Sequence, residues 1–376
     1  MKAHLRGFVR AMHLWLGLFG GVFICLMGVT GGLVALRPQI ATLLSPAAPA
    51  TGNCVSPDWN RAAHDITALS GSEINRVYGP YGADTRYHFR MMTDEPAIYR
   101  HVIYDVCSAR ILGSINLAWM DWTVDLHHNL LAGKTGRMWA GMMGILMLVS
   151  GIGGVLLWLL GKPDLRTAFQ IRLRFSKATP RQAHRALGLI AGVVLVLEAF
   201  TGLWLCFPQT MRGMLTIVSP VSEDVRPARA PRGKAATGRA DFNELLVAAH
   251  KEIPDGVIRE IRMPEGNGNV QIRMWRPADF RSLGNNVVFL SSAGAQVLAV
   301  DRYVERPGSN RFIQAMAGLH YDEWGGLPFR ILCAVAGLAT PVLFITGWLM
   351  WWYSRGKQVR SLHRPTPTEQ TAALAR

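Results

Sequence analysis

Charge is missing from four long stretches of this 376-residue chain, and several familiar signatures are missing from the rest. Five cysteines are too few for a disulfide-built scaffold. No Cys-x-x-Cys-His occurs, which excludes covalent attachment of a porphyrin in the c-type manner. No Walker loop and no zinc signature are present. The glycine cluster Gly266-Asn267-Gly268 reads as a turn and opens no dinucleotide-binding helix. Those absences remove nucleotide hydrolysis, structural zinc and nicotinamide chemistry from the functions to consider.

The uncharged stretches are the dominant positive signal. Ala11–Leu36, Met138–Gly161 and Ile331–Ser354 hold no charged residue, and Ala186–Met211 holds one, Glu198. Each is long enough to cross a hydrocarbon core, which takes ~20 helical residues. The net charge of +15 taken alone points to a nucleic-acid partner, but its distribution argues otherwise. Segments 1–10, 162–183 and 355–376 hold 14 Lys/Arg against Asp164 and Glu369 alone. The long connections 37–137 and 212–327 are nearly balanced, with 9 basic and 9 acidic residues, then 15 and 13. The basic excess therefore marks one side of a lipid bilayer, the cytoplasm by the positive-inside rule, and no nucleic acid is expected. The expected layout is a cytoplasmic N-terminus and first span at 1–36, an outer module at 37–137, and a second span at 138–161. A cytoplasmic loop at 162–183, a third span at 184–211, a second outer module at 212–327, a fourth span at 328–354 and a cytoplasmic tail at 355–376 complete it. The first apolar run exceeds the ~7–15 residues of a signal-peptide core, so it reads as an uncleaved anchor.

The halves repeat. His13, Gly17, Gly21, Thr30 and Gly31 recur 171 residues later as His184, Gly188, Gly192, Thr201 and Gly202. More loosely, His127 precedes Arg137 as His320 precedes Arg330, and Ser150-Gly151 answers Thr346-Gly347. Odd spans match odd and even match even, as in parallel duplications. Each outer connection reads as a separate α+β module. Pro57–Leu69 and Asp241–Glu252 are the expected helices. The expected strands are Glu73–Tyr78, Arg86–Met92, Tyr99–Asp105 and Arg110–Ser114, then Val257–Met263, Val270–Trp275, Val287–Leu290 and Gln296–Val300. The fold class is thus a four-helix transmembrane bundle with two outer α+β modules and an internal duplication. Cys54 and Cys107 share the first outer module, where a bridge is compatible with an oxidising compartment.

The repeat also pairs histidines. His13 and His184 stand at the starts of the two outward-running spans. His127 and His320 stand just before the two inward-running ones, with His128 as an alternative to His127. Two imidazoles at matched depth on neighbouring helices suit the axial positions of a b-type haem, one pair for each membrane side. Glycines at i+4 and i+8 on the histidine face leave room for a flat macrocycle or for close helix contact. Arg137 and Arg330 suit carboxylate groups such as propionates, or anchor helix ends among lipid headgroups. Glu198 lies on the inward face of its span and is a functional candidate by its position.

These features together resemble bacterial proteins with PepSY-associated transmembrane helices. The resemblance is carried by Met12-His13-Leu14-Trp15-Leu16-Gly17, Leu126-His127-His128-Asn129-Leu130, His184-Arg185-Ala186-Leu187-Gly188, Leu319-His320-Tyr321 and Thr346-Gly347-Trp348. It spans nearly the whole chain. One branch of that family is similar to inner-membrane siderophore-iron reductases of the ferrioxamine type. The resemblance implies two haem b groups, ligated by His13 with His184 and by His127 with His320. It also implies a periplasmic ferric siderophore as acceptor and a quinol or cytoplasmic reductant as donor. Two other expectations stay open: a general quinol-linked electron conduit with the same cofactors, and a non-enzymatic PepSY-type binding or regulatory membrane protein.

Overall fold

The computed structural model of the chain describes residues 2–46, 58–79, 86–92, 99–161, 164–171, 178–225, 227, 241–264, 269–292 and 294–362. In chain order its elements are α1 (Lys2–Phe19), α2 (Gly21–Ala35), α3 (Arg37–Leu44), α4 (Trp59–Ser70), β1 (Ile74–Tyr78), β2 (Arg86–Met92), β3 (Tyr99–Asp105), β4 (Arg110–Asn116), α5 (Ala118–Asn129), α6 (Gly133–Leu159) and α7 (Leu165–Ala168). There follow α8 (Thr179–Cys206), α9 (Pro208–Thr216), α10 (Phe242–Glu252), β5 (Val257–Arg262), β6 (Asn269–Trp275), β7 (Asn286–Ser291), β8 (Val297–Asp301), α11 (Gly308–His320), α12 (Gly326–Leu338) and α13 (Thr340–Leu362). They form two compact units. One comprises Met1–Gly32, Ala140–Phe200 and Leu332–Arg376; the other comprises Leu33–Trp139 and Thr201–Ile331.

The first unit is helical. Among the described residues, three helices are long and apolar enough to cross a membrane: α6, α8 and the continuous run Gly326–Arg355 that joins α12 to α13. A fourth span exists only when α1 and α2 are taken together, because they meet at a bend of 69°. The single unbroken span expected over Ala11–Leu36 is thus corrected to a broken one. The cause is local. Adjacent Gly20 and Gly21 lack the side chains that brace a helix, and glycine pairs are a recurrent site of kinks. A Cβ on Gly20 would stand 2.8 Å from the Leu16 carbonyl oxygen, and one on Gly21 would stand 2.3 Å from the Phe344 ring. Further along, α2 presses its backbone onto α12 and α13. A Cβ on Gly28 would meet Thr340 Oγ1 at 2.4 Å, one on Gly32 the Ala334 carbonyl oxygen at 2.9 Å, and one on Gly337 the Gly28 carbonyl oxygen at 2.3 Å. Small residues four apart allow such close packing where lipid supplies no hydrophobic drive.

The second unit is built on one antiparallel sheet in the order β4-β3-β2-β1-β5-β6-β7-β8. The two separate modules expected from the sequence are therefore corrected to one shared sheet. Each half repeats a helix followed by a four-strand meander, α4 with β1–β4 and α10 with β5–β8. The halves join where β1 pairs with β5, with Arg76 opposite Arg262, Val77 opposite Ile261 and Tyr78 opposite Glu260. One side of the sheet packs on α4 and α10 through Val77, Phe89, Val102, Ile261, Ile272 and Val288, against Ile66 and Leu245. Successive strand residues alternate sides, so the polar partners of those residues face the other way.

The helix starts lock the halves together. Asp58 and Asp241 cap their own helices, accepting from Arg61 N and from Asn243 N and Glu244 N. Two residues further on, each asparagine caps the opposite helix. Asn60 Oδ1 accepts from Phe242 N at 2.8 Å, and Asn243 Oδ1 accepts from Trp59 N at 3.1 Å. Asn60 Nδ2 also donates to Asp241 Oδ1 at 2.6 Å. The orphan N–H groups of one helix are thereby satisfied by the other. Cys107 is disulfide-bonded, and Cys54, its expected partner, lies outside the described residues. Cys25, Cys206 and Cys333 are not disulfide-bonded.

Candidate functional site

Two histidine pairs come together, one inside each unit. In the helical unit, His13 of α1 and His184 of α8 have ring centres 6.1 Å apart and planes crossed at 79°. In the sheet-bearing unit, His127 of α5 and His320 of α11 have ring centres 6.3 Å apart and planes 26° from parallel. Metal–imidazole bonds run ~2.0–2.1 Å and a ring centre lies ~1.1 Å beyond its nitrogen, so two imidazoles on opposite sides of one metal stand ~6.2 Å apart, centre to centre. Both separations match that span.

The rings are also held the right way round. His13 Nδ1 donates to the Ser150 carbonyl oxygen at 2.9 Å. His184 Nδ1 donates to the Leu343 carbonyl oxygen at 3.0 Å and lies 3.1 Å from Thr346 Oγ1. His320 Nδ1 shares a hydrogen bond of 3.2 Å with Thr201 Oγ1. A carbonyl oxygen has no hydrogen to give, so Nδ1 of His13 and His184 carries the proton and Nε2 keeps the lone pair. That is the tautomer a metal requires, fixed by the hydrogen bond on the other nitrogen.

Glycines make room for these rings. A Cβ on Gly154 would stand 3.3 Å from His13 Cε1, one on Gly347 would stand 3.4 Å from His184 Cε1, and one on Gly202 would stand 2.9 Å from His320 Cε1. In α6 and α13 the glycine stands one turn after the accepting carbonyl, so a single helix turn offers both the anchor and the seat. Beside the first pair, a Cβ on Gly17 or Gly192 would meet nothing within 4 Å. Open space one turn from His13 and two turns from His184 fits a flat macrocycle. The donor set, the ring orientation and the open flank therefore fit a bis-imidazole haem at His13 and His184. The donor set and the spacing fit one at His127 and His320.

His128 turns elsewhere. Its ring lies 5.9 Å from His127 and 6.5 Å from Tyr321. Burial, with the nearby charges of His320, Arg137 and Arg37, pushes its pKa down to about 4. Arg137 Nη2 donates to the Leu205 carbonyl oxygen at 2.7 Å, and Arg330 Nε donates to the Asp322 carbonyl oxygen at 3.0 Å. Both arginines thus tie down helix ends with at least one of their N–H groups. Glu198 accepts from the Cys333 thiol at 3.6 Å. His101, buried at 2% exposure, meets Asp121 at 3.4 Å, and Arg37 holds the same carboxylate at 2.5 Å.

The residues that anchor the imidazoles were visible in the sequence only as repeat marks. Ser150-Gly151, Thr201-Gly202 and Thr346-Gly347 read there as matching positions of the duplication, with no link to the histidines. A pairing of each Ser/Thr-Gly step with a histidine of another span is the signal that finds them.

Apolar spanning helices and a sheet-bearing unit define a polytopic membrane protein, and two histidine pairs lie within it as candidate ligand pairs. The chain belongs to the family of the PepSY-associated TM region, whose model matches residues 10–354. No curated protein matches the chain.

Proposed function

We propose that the protein is a di-haem b reductase of the bacterial inner membrane that delivers electrons to ferric siderophore in the periplasm. The observation that carries this reading is the two imidazole couples, with ring centres 6.1 and 6.3 Å apart, separations at which both rings of a couple would hold one metal between them. In this reading His13 with His184 holds one haem and His127 with His320 holds the other. The basic segments lie in the cytoplasm and the sheet-bearing unit faces the periplasm, following the charge asymmetry of the sequence.

When bound, the haems supply reversible one-electron chemistry that no protein side chain offers. The chain's own residues do the rest. Ser150, Leu343 and Thr201 fix the rotation of three imidazoles. Gly154, Gly347 and Gly202 let those rings lie against their neighbouring helices. In the net reaction a quinol gives up two electrons and two protons to become a quinone while Fe(III) in two chelates becomes Fe(II), or a one-electron cytoplasmic reductant reduces Fe(III) in one. Fe(II) is a poorer partner for hard oxygen donors, so the iron leaves and the chelator survives.

An optical spectrum of the purified protein, before and after dithionite, tests the cofactor. Two b haems per chain are expected, with His13→Ala and His320→Ala each retaining one. Protein without b-type absorbance sinks the reading. Mixing the reduced protein with ferric chelates tests the acceptor. Rapid reoxidation supports the reductase. Reoxidation by quinone but by no ferric chelate favours a general electron conduit.

A further inference from the structure

The side of the sheet turned away from α4 and α10 carries an unusual row. In the register of the strands, His101 stands opposite Arg90, Arg90 opposite Arg76, Arg76 opposite Arg262, and Arg262 opposite Gln271. Three arginines therefore stand side by side across β2, β1 and β5, with Cβ atoms ~5 Å apart. In the next row Glu260 stands opposite both Tyr78 and Arg273. Glu260 is 4% exposed and is met by Arg76 Nη1 at 3.3 Å, Arg273 Nε at 3.3 Å and Arg262 Nη2 at 3.5 Å. Three guanidinium groups converge on one carboxylate.

Like charges directly opposite in a sheet cost stability. Here they stand on three adjacent strands in the middle of the sheet, and the one carboxylate of Glu260 offsets only part of the charge of Arg76, Arg262 and Arg273. Guanidinium is the side chain suited to two-point recognition of oxyanions. The Nε of Arg262 is buried and makes no hydrogen bond among the described residues, while the side chain as a whole is 41% exposed. Arg281 links this surface to the second histidine pair. It grips Glu323 through two bonds of 2.8 and 2.9 Å and lies 5.3 Å over the Tyr321 ring, which in turn is 6.2 Å from His320.

We propose that the Arg76–Arg90–Arg262 row, with Arg273, binds an oxyanion-bearing ferric chelate, so that the acceptor belongs to the anionic carboxylate or catecholate class. The inference rests on the reductase reading for the iron and on the arginine row for the charge. The same carboxylate chemistry could come from the propionates of a haem held by His127 and His320, and the test separates the two sources.

Equilibrium dialysis of the haem-loaded, full-length protein in detergent uses redox-inert gallium(III) complexes of matched shape. The trianionic tris-catecholate should bind about tenfold or more tightly than the neutral tris-acetohydroxamate. Arg262→Gln should weaken the anionic complex by about tenfold and leave the neutral one unchanged. Glu260→Gln removes the competing carboxylate and should tighten the anionic complex, a gain that misfolding does not produce. Equal binding of the two complexes overturns the proposal. So does an Arg262→Gln variant that binds the anion normally but loses haem from the His127 and His320 pair, because the row then serves propionates. Failure of the reductase reading shows separately, as reduced protein that no ferric chelate reoxidises, whatever gallium binding reveals.

Discussion

The imidazole planes of His13 and His184 cross at 79°, whereas those of His127 and His320 lie within 26° of parallel. The two pairs are the same chemically and differ in rotation, and His13, His184 and His320 are each turned by a hydrogen bond to a different residue. His184 follows Leu343 and Thr346 on α13, and His320 follows Thr201 on α8.

With haem bound as proposed, ring rotation would set which iron d orbitals the imidazoles engage, so the two sites should differ electronically. The oxidised protein should show two resolved low-spin ferric signals by electron paramagnetic resonance, with the wider spread of g values from the crossed pair. His184→Ala should remove that wider signal and spare the other. A single species accounting for both haems would contradict the geometry.

The glycine seats give a graded series. Alanine at Gly202 would place its methyl 2.9 Å from His320 Cε1, and overpacking of that kind costs about 1–3 kcal/mol. Gly202→Ala should therefore lose the haem proposed at His127 and His320. Gly347→Ala, at 3.4 Å from His184 Cε1, should be better tolerated. Gly192→Ala meets nothing within 4 Å, so the polypeptide should fold at least as well, helped by ~1 kcal/mol of helix propensity. If the open flank accommodates a macrocycle, that same variant should still lower haem occupancy. Haem-to-protein ratios across the series check the idea.

Reciprocal capping ties the two halves of the sheet energetically. Asn60→Ala and Asn243→Ala should each destabilise the sheet-bearing unit by about 1 kcal/mol. Asn60 and Asp241 bond directly at 2.6 Å, so the Asn60→Ala, Asp241→Ala cycle should show coupling of about 0.5 kcal/mol or more. Chemical denaturation followed by β-sheet circular dichroism measures it. Strict additivity would mean that the halves stand independently.

Glu260 gives the unit an acid limit. Burial opposes its ionisation, but Arg76, Arg262 and Arg273 outweigh burial and hold its carboxyl below the ordinary carboxylate range. A depressed folded value means that the contribution is complete above the unfolded pKa of ~4.3 and is lost as pH falls through the lower folded value. Melting temperature should decline across that acid window, and Glu260→Gln should flatten the decline. An unchanged slope in the variant would move the effect to other carboxylates.

Local structure was well marked in the sequence. Arg86–Met92 and Tyr99–Asp105 form strands with the bounds their alternation suggests, and the helix expected over Asp241–Glu252 starts one residue later, with Asp241 as its cap. The histidine pairing was legible because duplication repeats spacing. What was hidden is long-range. Nothing in the alternation of Ile74–Tyr78 says that its free edge meets Val257–Arg262, because edge pairing depends on a partner far along the chain. The clue lay in Asp58-Trp59-Asn60 and Asp241-Phe242-Asn243, an acid, an aromatic and an asparagine that make sense only when each turn caps the other helix. The bend at Gly20 was hidden too, since hydropathy registers apolar length and is blind to direction.

Pairing β1 with β5 has a consequence for biosynthesis. By the time a ribosome has made β1, its eventual neighbour is still unmade, and α6 and α8 must be synthesised first. Until then the nascent first half presents a bare strand edge, the kind of template that recruits wrong partners. A chaperone that shields this edge during the delay should raise the yield of the full chain more than that of a variant whose halves are joined by a short direct linker.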